Sequence, residues 1–204
     1  MKRLAKPEGK FNVVIEDVPL PVPGSGEVRI RAVRSLISTG SEIGARYTRQ
    51  EAIDPDRMGY SVAGVVDAVG EGIHHLHQGD RVVALAPHAQ YAVRTARVPS
   101  PNDLAWVVPL PDAVSFDAAP YYPLASGAVS WVEIEQVKRD DVVAILGQGL
   151  VGLLMLQVLK ADGMGHVVAV DALEQRCALA EQLGAEMVVN AAKEDPVLAV
   201  RRFT

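Results

Sequence analysis

Three closely spaced glycines constrain the fold of this chain more than any other feature. Gly147, Gly149 and Gly152 follow the short apolar run Val142 to Leu146, which is rich in β-branched residues. Such a run predicts a strand buried on both faces of a parallel sheet. The apolar segment after Gly152 predicts a helix that ends at Gly163. A strand, a tight turn and a helix therefore succeed one another, an arrangement that offers the helix N-terminus to a phosphate group.

Each glycine of this turn has its own task in a dinucleotide-binding unit. Gly147 permits the tight turn, Gly149 lets a pyrophosphate approach the backbone, and Gly152 lets the helix pack against its strand. Asp171 ends a second predicted strand about 20 residues later, where a carboxylate can accept hydrogen bonds from an adenosine ribose. The residues predicted from this pattern to bind the cofactor are Gly147, Gln148, Gly149, Leu150, Val151, Gly152 and Asp171.

This stretch leaves two alternatives open. Asp171 can cap the following helix, either instead of binding a ribose or as well. Hydropathy alone also allows Val142 to Leu159 to span a membrane, because only Gln148 and Gln157 interrupt the apolar run. The glycines and the strand-like ends argue against such a span.

The composition predicts a protein of one or two domains located in the cytoplasm. The chain has 204 residues, 49% of them hydrophobic, and a formal net charge of −5. A sizeable core can therefore form, and neither nucleic acid nor a membrane surface is expected as a partner. Cys177 is the single cysteine, which excludes an internal disulfide and a multi-cysteine zinc site. Met1 to Lys10 is polar and lacks the apolar region of a signal peptide.

The chain before the glycine turn predicts a compact β domain of short strands. These strands are predicted over Phe11 to Val18, Glu27 to Arg34, Met58 to Gly70, Arg81 to Leu85 and Gln90 to Arg94. The loops and connectors are predicted over Ser35 to Glu42, Pro99 to Asn102 and Pro109 to Asp112. Ser115 is predicted to cap a bridging helix. After Asp171, the pattern predicts a helix over Leu173 to Leu183, a strand over Met187 to Val189 and a helix over Pro196 to Phe203.

This order of elements, together with three short motifs, resembles the medium-chain dehydrogenase/reductase superfamily, the alcohol dehydrogenase-like proteins. The motifs are Val69-Gly-Glu-Gly, Gly79-Asp-Arg-Val and Leu183-Gly-Ala-Glu-Met-Val-Val-Asn. The resemblance implies a GroES-like β domain over residues 1–122 and a Rossmann α/β domain over residues 123–204. It also implies a small-molecule substrate, NAD or alternatively NADP as cofactor, and a dimer in the complete form. Arg176 matches a basic position that contacts adenosine in the family.

The resemblance is broken where family members bind catalytic zinc. Ser38 and Thr39 occupy the region of a ligating cysteine, and Tyr60 replaces the histidine of a Gly-His-Glu motif. The segment that begins at Tyr122 reads Tyr-Pro-Leu where many members have Glu-Pro-Leu. Hydroxyl groups are poor zinc ligands beside thiolate, imidazole and carboxylate. We therefore expect a zinc-free member, closer to the metal-independent reductases.

Without zinc, hydrogen-bond donors must polarise the substrate carbonyl. Ser41 matches a hydroxyl of the family's proton relay, and Tyr60 and Tyr122 are the other predicted catalytic residues. Both tyrosines can instead simply fill the volume that a zinc site would occupy. The histidines of the run His74-His-Leu-His are expected in a solvated loop rather than at a metal.

Only three strands of the predicted Rossmann sheet can be counted, where the family implies six. We therefore expect an incomplete sheet whose Val142 to Leu146 edge is bare, a feature that favours association. The sequence leaves two functions open: an NAD(P)-dependent oxidoreductase, at least in the complete form, or a non-catalytic nucleotide-binding or interaction protein.

Overall fold

The computed structural model describes residues 1–98 and 107–204, so the connector predicted over Pro99 to Asn102 lies outside the described residues. The chain divides into two compact units, Met1–Pro123 and Leu124–Thr204. No helix in the described ranges is long and apolar enough to cross a membrane. The membrane-span interpretation of residues 142–159 is wrong, because that segment is a short strand followed by a helix.

The described residues of the first unit form two antiparallel sheets. Strands β1 (Lys2–Ala5) and β2 (Val14–Asp17) form a ribbon. The second sheet contains β3 (Glu27–Ser35), β4 (Val62–Val69), β5 (Arg81–Ala84), β6 (Tyr91–Thr95) and β7 (Val107–Pro109), in the spatial order β6-β3-β4-β5-β7. Val28 and Ile30 are buried in its core and Arg31 is exposed, which confirms the half-buried strand predicted from the alternating pattern.

Three predictions for this unit were wrong in detail. The predicted first strand is shorter, and the polar N-terminus forms β1 because its register with β2 places Leu4 opposite Ile15. The connector predicted at Pro109 contributes the end of β7, an edge strand where a missing N–H does no harm. Ser115 accepts a hydrogen bond from the N–H of Ala118 at 3.1 Å, but this closes a turn, and the α-helix begins only at Tyr122.

A buried lysine ties the N-terminal segment to a distant loop. The side chain of Lys6 is 1% exposed. Its ammonium donates to the carbonyl oxygens of Pro7 at 3.1 Å, Gly9 at 2.9 Å and Glu51 at 2.9 Å. Three carbonyl acceptors satisfy all three ammonium donors, so the charge is tolerated without a carboxylate.

The second unit contains a parallel sheet of three strands. These are β8 (Val142–Leu146), β9 (His166–Asp171) and β10 (Met187–Asn190), in the order β10-β9-β8. The helices are α1 (Tyr122–Glu135), which starts at the end of the first unit, α2 (Leu150–Asp162), α3 (Glu174–Gln182) and α4 (Pro196–Phe203). Leu156 and Leu159 of α2 pack against Val167 and Ala169 of β9 in a fully buried cluster.

The burial predicted for β8 was wrong. Strand β9 is central and buried almost throughout, whereas β8 pairs only with β9 among the described residues. Val142 is therefore exposed and Leu146 is 78% exposed, while Ile145 faces the core. The run of apolar residues predicted the strand correctly, and its expected bare edge is present among the described strands, but a sequence run does not show which faces of a strand are covered.

Candidate functional site

The glycine turn after β8 has the geometry that its spacing predicted. Gly147 has φ +90°, which few residues other than glycine adopt. A Cβ atom on Gly152 would lie 2.0 Å from the carbonyl oxygen of Gly147. Gly152 is thus required by the close packing of α2 against the turn itself.

Gly149 is required neither by an unusual backbone angle, as Gly147 is, nor by close packing, as Gly152 is. Its φ of −76° suits any residue. The nearest described atom to an added Cβ is Nη1 of Arg176, at 4.0 Å. Helix α2 begins directly after it, at Leu150. The open space therefore lies beside the free N–H groups of a helix N-terminus, where an anion is stabilised.

Asp171 ties this turn to the next helix. Its Oδ2 accepts a hydrogen bond from the N–H of Gln148 at 2.7 Å, and its Oδ1 accepts from the N–H of Leu173 at 2.8 Å. Burial raises the pKa of the carboxyl, but these two hydrogen bonds and the charge of Arg176 outweigh it and hold the pKa below its ordinary value. A single side chain, 8% exposed, therefore holds both the residue that precedes the next helix and the glycine turn.

The remaining predicted cofactor residues surround this carboxylate and turn. Arg176 is exposed, and its Nη1 lies 3.6 Å from Oδ2 of Asp171. Gln148 is buried and donates to the carbonyl oxygen of Ile145 at 2.8 Å, but its own Oε1 meets no partner in the described part of the chain. Leu150 is exposed and Val151 is half-buried at the start of α2. The predicted cofactor set is thus contiguous.

The three predicted catalytic residues lie in the first unit in very different surroundings. Ser41 is exposed in a π-helical turn, Thr39–Gly44, inside the segment predicted to be a loop. The hydroxyl of Tyr60 is buried and meets no partner among residues 1–98 and 107–204. Tyr122 packs against a buried cluster that contains Ala63 and Val83, as a space-filling side chain does.

Sequence reasoning missed a buried polar cluster beside these residues. Glu42 has no exposed surface, and its Oε1 lies 2.8 Å from Nε2 of His88 and 3.3 Å from the hydroxyl of Tyr47. Its Oε2 accepts a hydrogen bond from the N–H of Ser38 at 2.8 Å. The available signal was a carboxylate directly after Ser41, in a segment otherwise made mostly of small and apolar residues.

The structure offers little to a metal ion. Among the described residues, no three His, Cys, Asp or Glu side chains are grouped so that they could hold one. In the histidine run, His74 and His77 are exposed and His75 is half-buried around the buried Leu76. The run therefore anchors its loop through Leu76, with its histidines pointing to different surroundings.

Sequence relatives of this chain are dehydrogenases. Residues 151–204 match the family model of zinc-binding dehydrogenases. L-Threonine 3-dehydrogenase of Bacillus subtilis is 30% identical over an alignment 232 positions long. The alignment covers 100% of this chain and 66% of that protein. Human sorbitol dehydrogenase is 29% identical over an alignment 230 positions long, which covers 95% of this chain and 62% of that protein. The chain spans about two thirds of the length of these relatives or slightly less.

Solved structures show the same fold. Quinone oxidoreductase of Escherichia coli, complexed with NADPH, superposes with a TM-score of 0.83 at 23% sequence identity. The superposition covers 100% of this chain and 62% of that chain. Alcohol dehydrogenase TADH of Thermus sp. ATN1 has a TM-score of 0.83 at 24% sequence identity, and the superposition covers 100% of this chain and 67% of that chain. The predicted fold class, a GroES-like β domain followed by a partial Rossmann sheet, is confirmed.

The two glycines after Gly147 should respond oppositely to the same substitution. Gly152→Ala places a Cβ on the Gly147 carbonyl oxygen, so we expect the free energy of unfolding to fall by about 3 kcal/mol. Gly149→Ala should lower it by less than about 1 kcal/mol, since only a helix-cap preference is lost. Urea unfolding followed by circular dichroism at 222 nm measures both, and equal losses would contradict the described packing.

The stability of the chain should depend on the ionisation of Asp171. Because its folded-state pKa lies below the unfolded value of about 3.9, the ionised carboxylate stabilises the fold above that pH, and this contribution disappears as pH falls through the folded-state pKa. Asp171→Asn should therefore be less stable than the parent at pH 6, and the difference should shrink as pH falls below the unfolded value and through the folded-state pKa. Asp140→Asn, at an exposed position, is the control. A difference that does not change with pH would contradict the assignment.

Proposed function

Because the chain belongs to the medium-chain dehydrogenase/reductase superfamily, we propose that it carries the substrate-side unit and the adenosine-binding half of an NAD(P)-dependent oxidoreductase. The reaction is hydride transfer to or from a carbonyl, an alcohol or an activated alkene. The observation that supports this most strongly is the open space beside Gly149 at the start of α2, bordered by Arg176 and Asp171. A side chain there would clash with nothing in the protein, and we attribute the glycine to the close approach of a ligand.

The residues present fit a dinucleotide. The backbone of Gly147 to Gly152 would hold the pyrophosphate, and Asp171 with Arg176 would hold the adenosine ribose. A bound nicotinamide would supply the hydride donor or acceptor. Asp171 already accepts two backbone hydrogen bonds, but an ionised carboxylate has about four acceptor positions and retains capacity for ribose hydroxyls.

We propose NAD as the preferred cofactor, with NADP as the alternative. The ionised Asp171 repels a 2′-phosphate and accepts from a free 2′-hydroxyl. Arg176 lies beside it and softens this preference, because a guanidinium attracts phosphate. The solved relatives include an NADPH complex and an NADH complex, so the fold accepts either.

We also propose that hydride transfer proceeds without zinc. The regions of the family's ligands hold Ser38 with Thr39, Tyr60, and Tyr122, whose hydroxyl groups are poor partners for zinc. The matched family model takes its name from zinc, but residues 151–204 contain none of these positions. Ser41 and Tyr60 remain the proposed hydroxyl donors to substrate, whereas the packing of Tyr122 favours a space-filling role.

A second function, recruitment of a partner protein, is favoured by one observation. Strand β8 has an unpaired edge within the described structure, and the exposed side chains of Leu146 and Ile134 lie in the same unit. An open apolar edge can pair with another chain. The activity experiments below separate the two functions.

Asp171→Ser tests the cofactor preference. Removal of the carboxylate should narrow or reverse the ratio of NAD to NADP affinity, because repulsion of the 2′-phosphate is lost. Calorimetric titration with both cofactors measures the ratio. Gly149→Ala is the matched control, since it should weaken both cofactors about equally. An unchanged ratio in Asp171→Ser would count against the ribose role.

ADP-ribose should bind the 204-residue chain nearly as well as NAD does. The described strands carry the proposed sites for pyrophosphate and adenosine. Hydride transfer also needs near-contact geometry at the reacting atoms, and a misplacement of about 1 Å can reduce its rate roughly a hundredfold. We therefore expect negligible oxidation of NADH over a panel of carbonyl compounds. Calorimetry and a cofactor-oxidation assay measure the two quantities, and rapid turnover would show that these residues suffice or that a second subunit completes the site.

Purified protein should contain well under one zinc per chain. The reason is that the regions of the three family ligands hold Ser38 with Thr39, Tyr60, and Tyr122, which lack zinc-binding chemistry. Elemental analysis after dialysis against a chelator measures the content. Stoichiometric zinc that survives dialysis would contradict the proposal, and its loss in His75→Gln would place the metal in the histidine run instead.

A further inference from the structure

The buried pair of Glu42 and His88 has the arrangement of a carboxylate–imidazole couple with one nitrogen left over. Nε2 of His88 lies 2.8 Å from Oε1 of Glu42, and the two side chains are 9% and 0% exposed. The other ring nitrogen, Nδ1, is buried and meets no hydrogen-bond partner within the described residues. A buried nitrogen without a partner destabilises a protein by about 1–3 kcal/mol, which makes it a candidate for a role outside stability.

The surroundings of Glu42 fix where the imidazole proton lies. Burial raises the pKa of the Glu42 carboxyl, but hydrogen bonds from His88 and from the N–H of Ser38 outweigh it and hold the pKa below its ordinary value. Burial and the nearby carboxylate raise the pKa of Tyr47 to about 12, so its hydroxyl stays a neutral donor. An ionised carboxylate only accepts hydrogen bonds, so in the neutral form of the ring Nε2 carries the hydrogen and Nδ1 is left as an acceptor.

The couple joins the two segments that hold the predicted catalytic hydroxyls. Glu42 follows Ser41 in the same π-helical turn. The backbone N–H of His88 donates to the carbonyl oxygen of Met58 at 2.7 Å. A Cβ on Gly59 would lie 2.9 Å from Cδ2 of the imidazole, so Gly59, at φ +110°, permits the ring to lie next to the segment that continues into Tyr60. His88 also borders an open cavity of about 320 Å³ with Arg34 and Ser35.

We propose that His88 is the residue that exchanges the proton with the substrate oxygen, and that Glu42 is its positioning residue. The proposal rests on the function proposed above and takes alcohols and the corresponding carbonyl compounds as the ligand class. In oxidation, the alcohol O–H bond would break as its proton passes to Nδ1, and a bound nicotinamide would accept the hydride from the C–H bond as the C=O bond forms. In reduction, the imidazolium returns the proton to the oxygen as the hydride arrives. The resulting imidazolium faces the carboxylate of Glu42, which stabilises its charge.

Two other roles for the Glu42–His88 couple, a metal site and a purely structural pair, explain it less well than proton exchange does. A carboxylate that orients a histidine is also typical of metal sites, but no cluster of three ligating side chains surrounds this one in the described structure. A purely structural pair would leave Nδ1 unpaired, or hydrogen-bonded to water, and insensitive to alcohols. The experiment must therefore test whether Nδ1 receives a ligand.

Long-range ¹H–¹⁵N NMR on the 204-residue chain with ¹⁵N-labelled histidine reports the tautomer of each ring. His88→Gln assigns the signal, and His77→Gln, on an exposed loop, is the control that should leave it unchanged. We expect the tautomer with hydrogen on Nε2 at His88. Glu42→Gln should give a mixture, because a carboxamide can present either oxygen or nitrogen to the ring. A parent protein with hydrogen on Nδ1 would overturn the proposal.

A matched pair of probes tests the ligand. Trifluoroethanol has an acidic hydroxyl, and its methyl ether has the same apolar group without the donor. With NAD present, the alcohol should shift the Nδ1 signal of His88 saturably, and its binding, followed by ¹⁹F NMR, should weaken about tenfold or more in His88→Gln, a loss of about 1.4 kcal/mol. The ether should not shift Nδ1. No response to the alcohol, or an equal response to both probes, would show that the couple is structural.

Binding at the cofactor site is measured separately on the same samples. Calorimetry with ADP-ribose on the same samples tests the second unit, and His88→Gln should leave that affinity unchanged. If ADP-ribose binds but the alcohol does not shift the Nδ1 signal of His88, the oxidoreductase proposal stands and the proposed role of His88 is contradicted. If ADP-ribose does not bind, the proposed function fails whatever the imidazole does.

Discussion

The second unit depends on the carboxylate of Asp171. It accepts one hydrogen bond from the glycine turn after β8 and another from the residue that precedes α3, at 2.7 and 2.8 Å. Two loops that are distant in sequence are thereby fixed to the end of β9. The same contacts stabilise the charge that the proposed ribose contact requires, so stability and recognition draw on one ionised group.

In the first unit, Glu42 has a comparable position with a different outcome. It is fully buried and connects a π-helical turn to the His88 imidazole and to the Tyr47 hydroxyl. The Asp171 carboxylate accepts from backbone N–H groups and so orders loops, whereas Glu42 contacts the side chains of His88 and Tyr47 and, in our proposal, orients the imidazole. Each unit is therefore organised around one buried carboxylate, although the proposed chemistry of the two groups is different.

The sequence predicted the second unit well because its signals are local. A strand, glycines at fixed spacing and a terminal acid specify their own geometry, and Gly147 and Gly152 have the conformation and close packing that the spacing implied. The bare edge of β8 was expected, but the exposure of the Leu146 side chain was missed, since it depends on which elements cover the faces of the strand. The Glu42–His88 couple was missed for the same reason: its members are far apart in the chain, and only the antiparallel sheet and the turn bring them together. Tyr60 and Tyr122 were predicted as equivalent, yet one has an unpaired buried hydroxyl and the other packs in a core cluster.

The three carbonyl oxygens around Lys6 have a chemical consequence. An amine reacts with acylating reagents only through its free lone pair, and this ammonium is 1% exposed with every proton donated. Lys10, four residues later, is exposed and has no such shield. In native protein the two amines should therefore be labelled at very different rates. The slow rate at Lys6 would measure how often the N-terminal segment separates from the loop at Glu51, a local opening that global unfolding curves do not resolve.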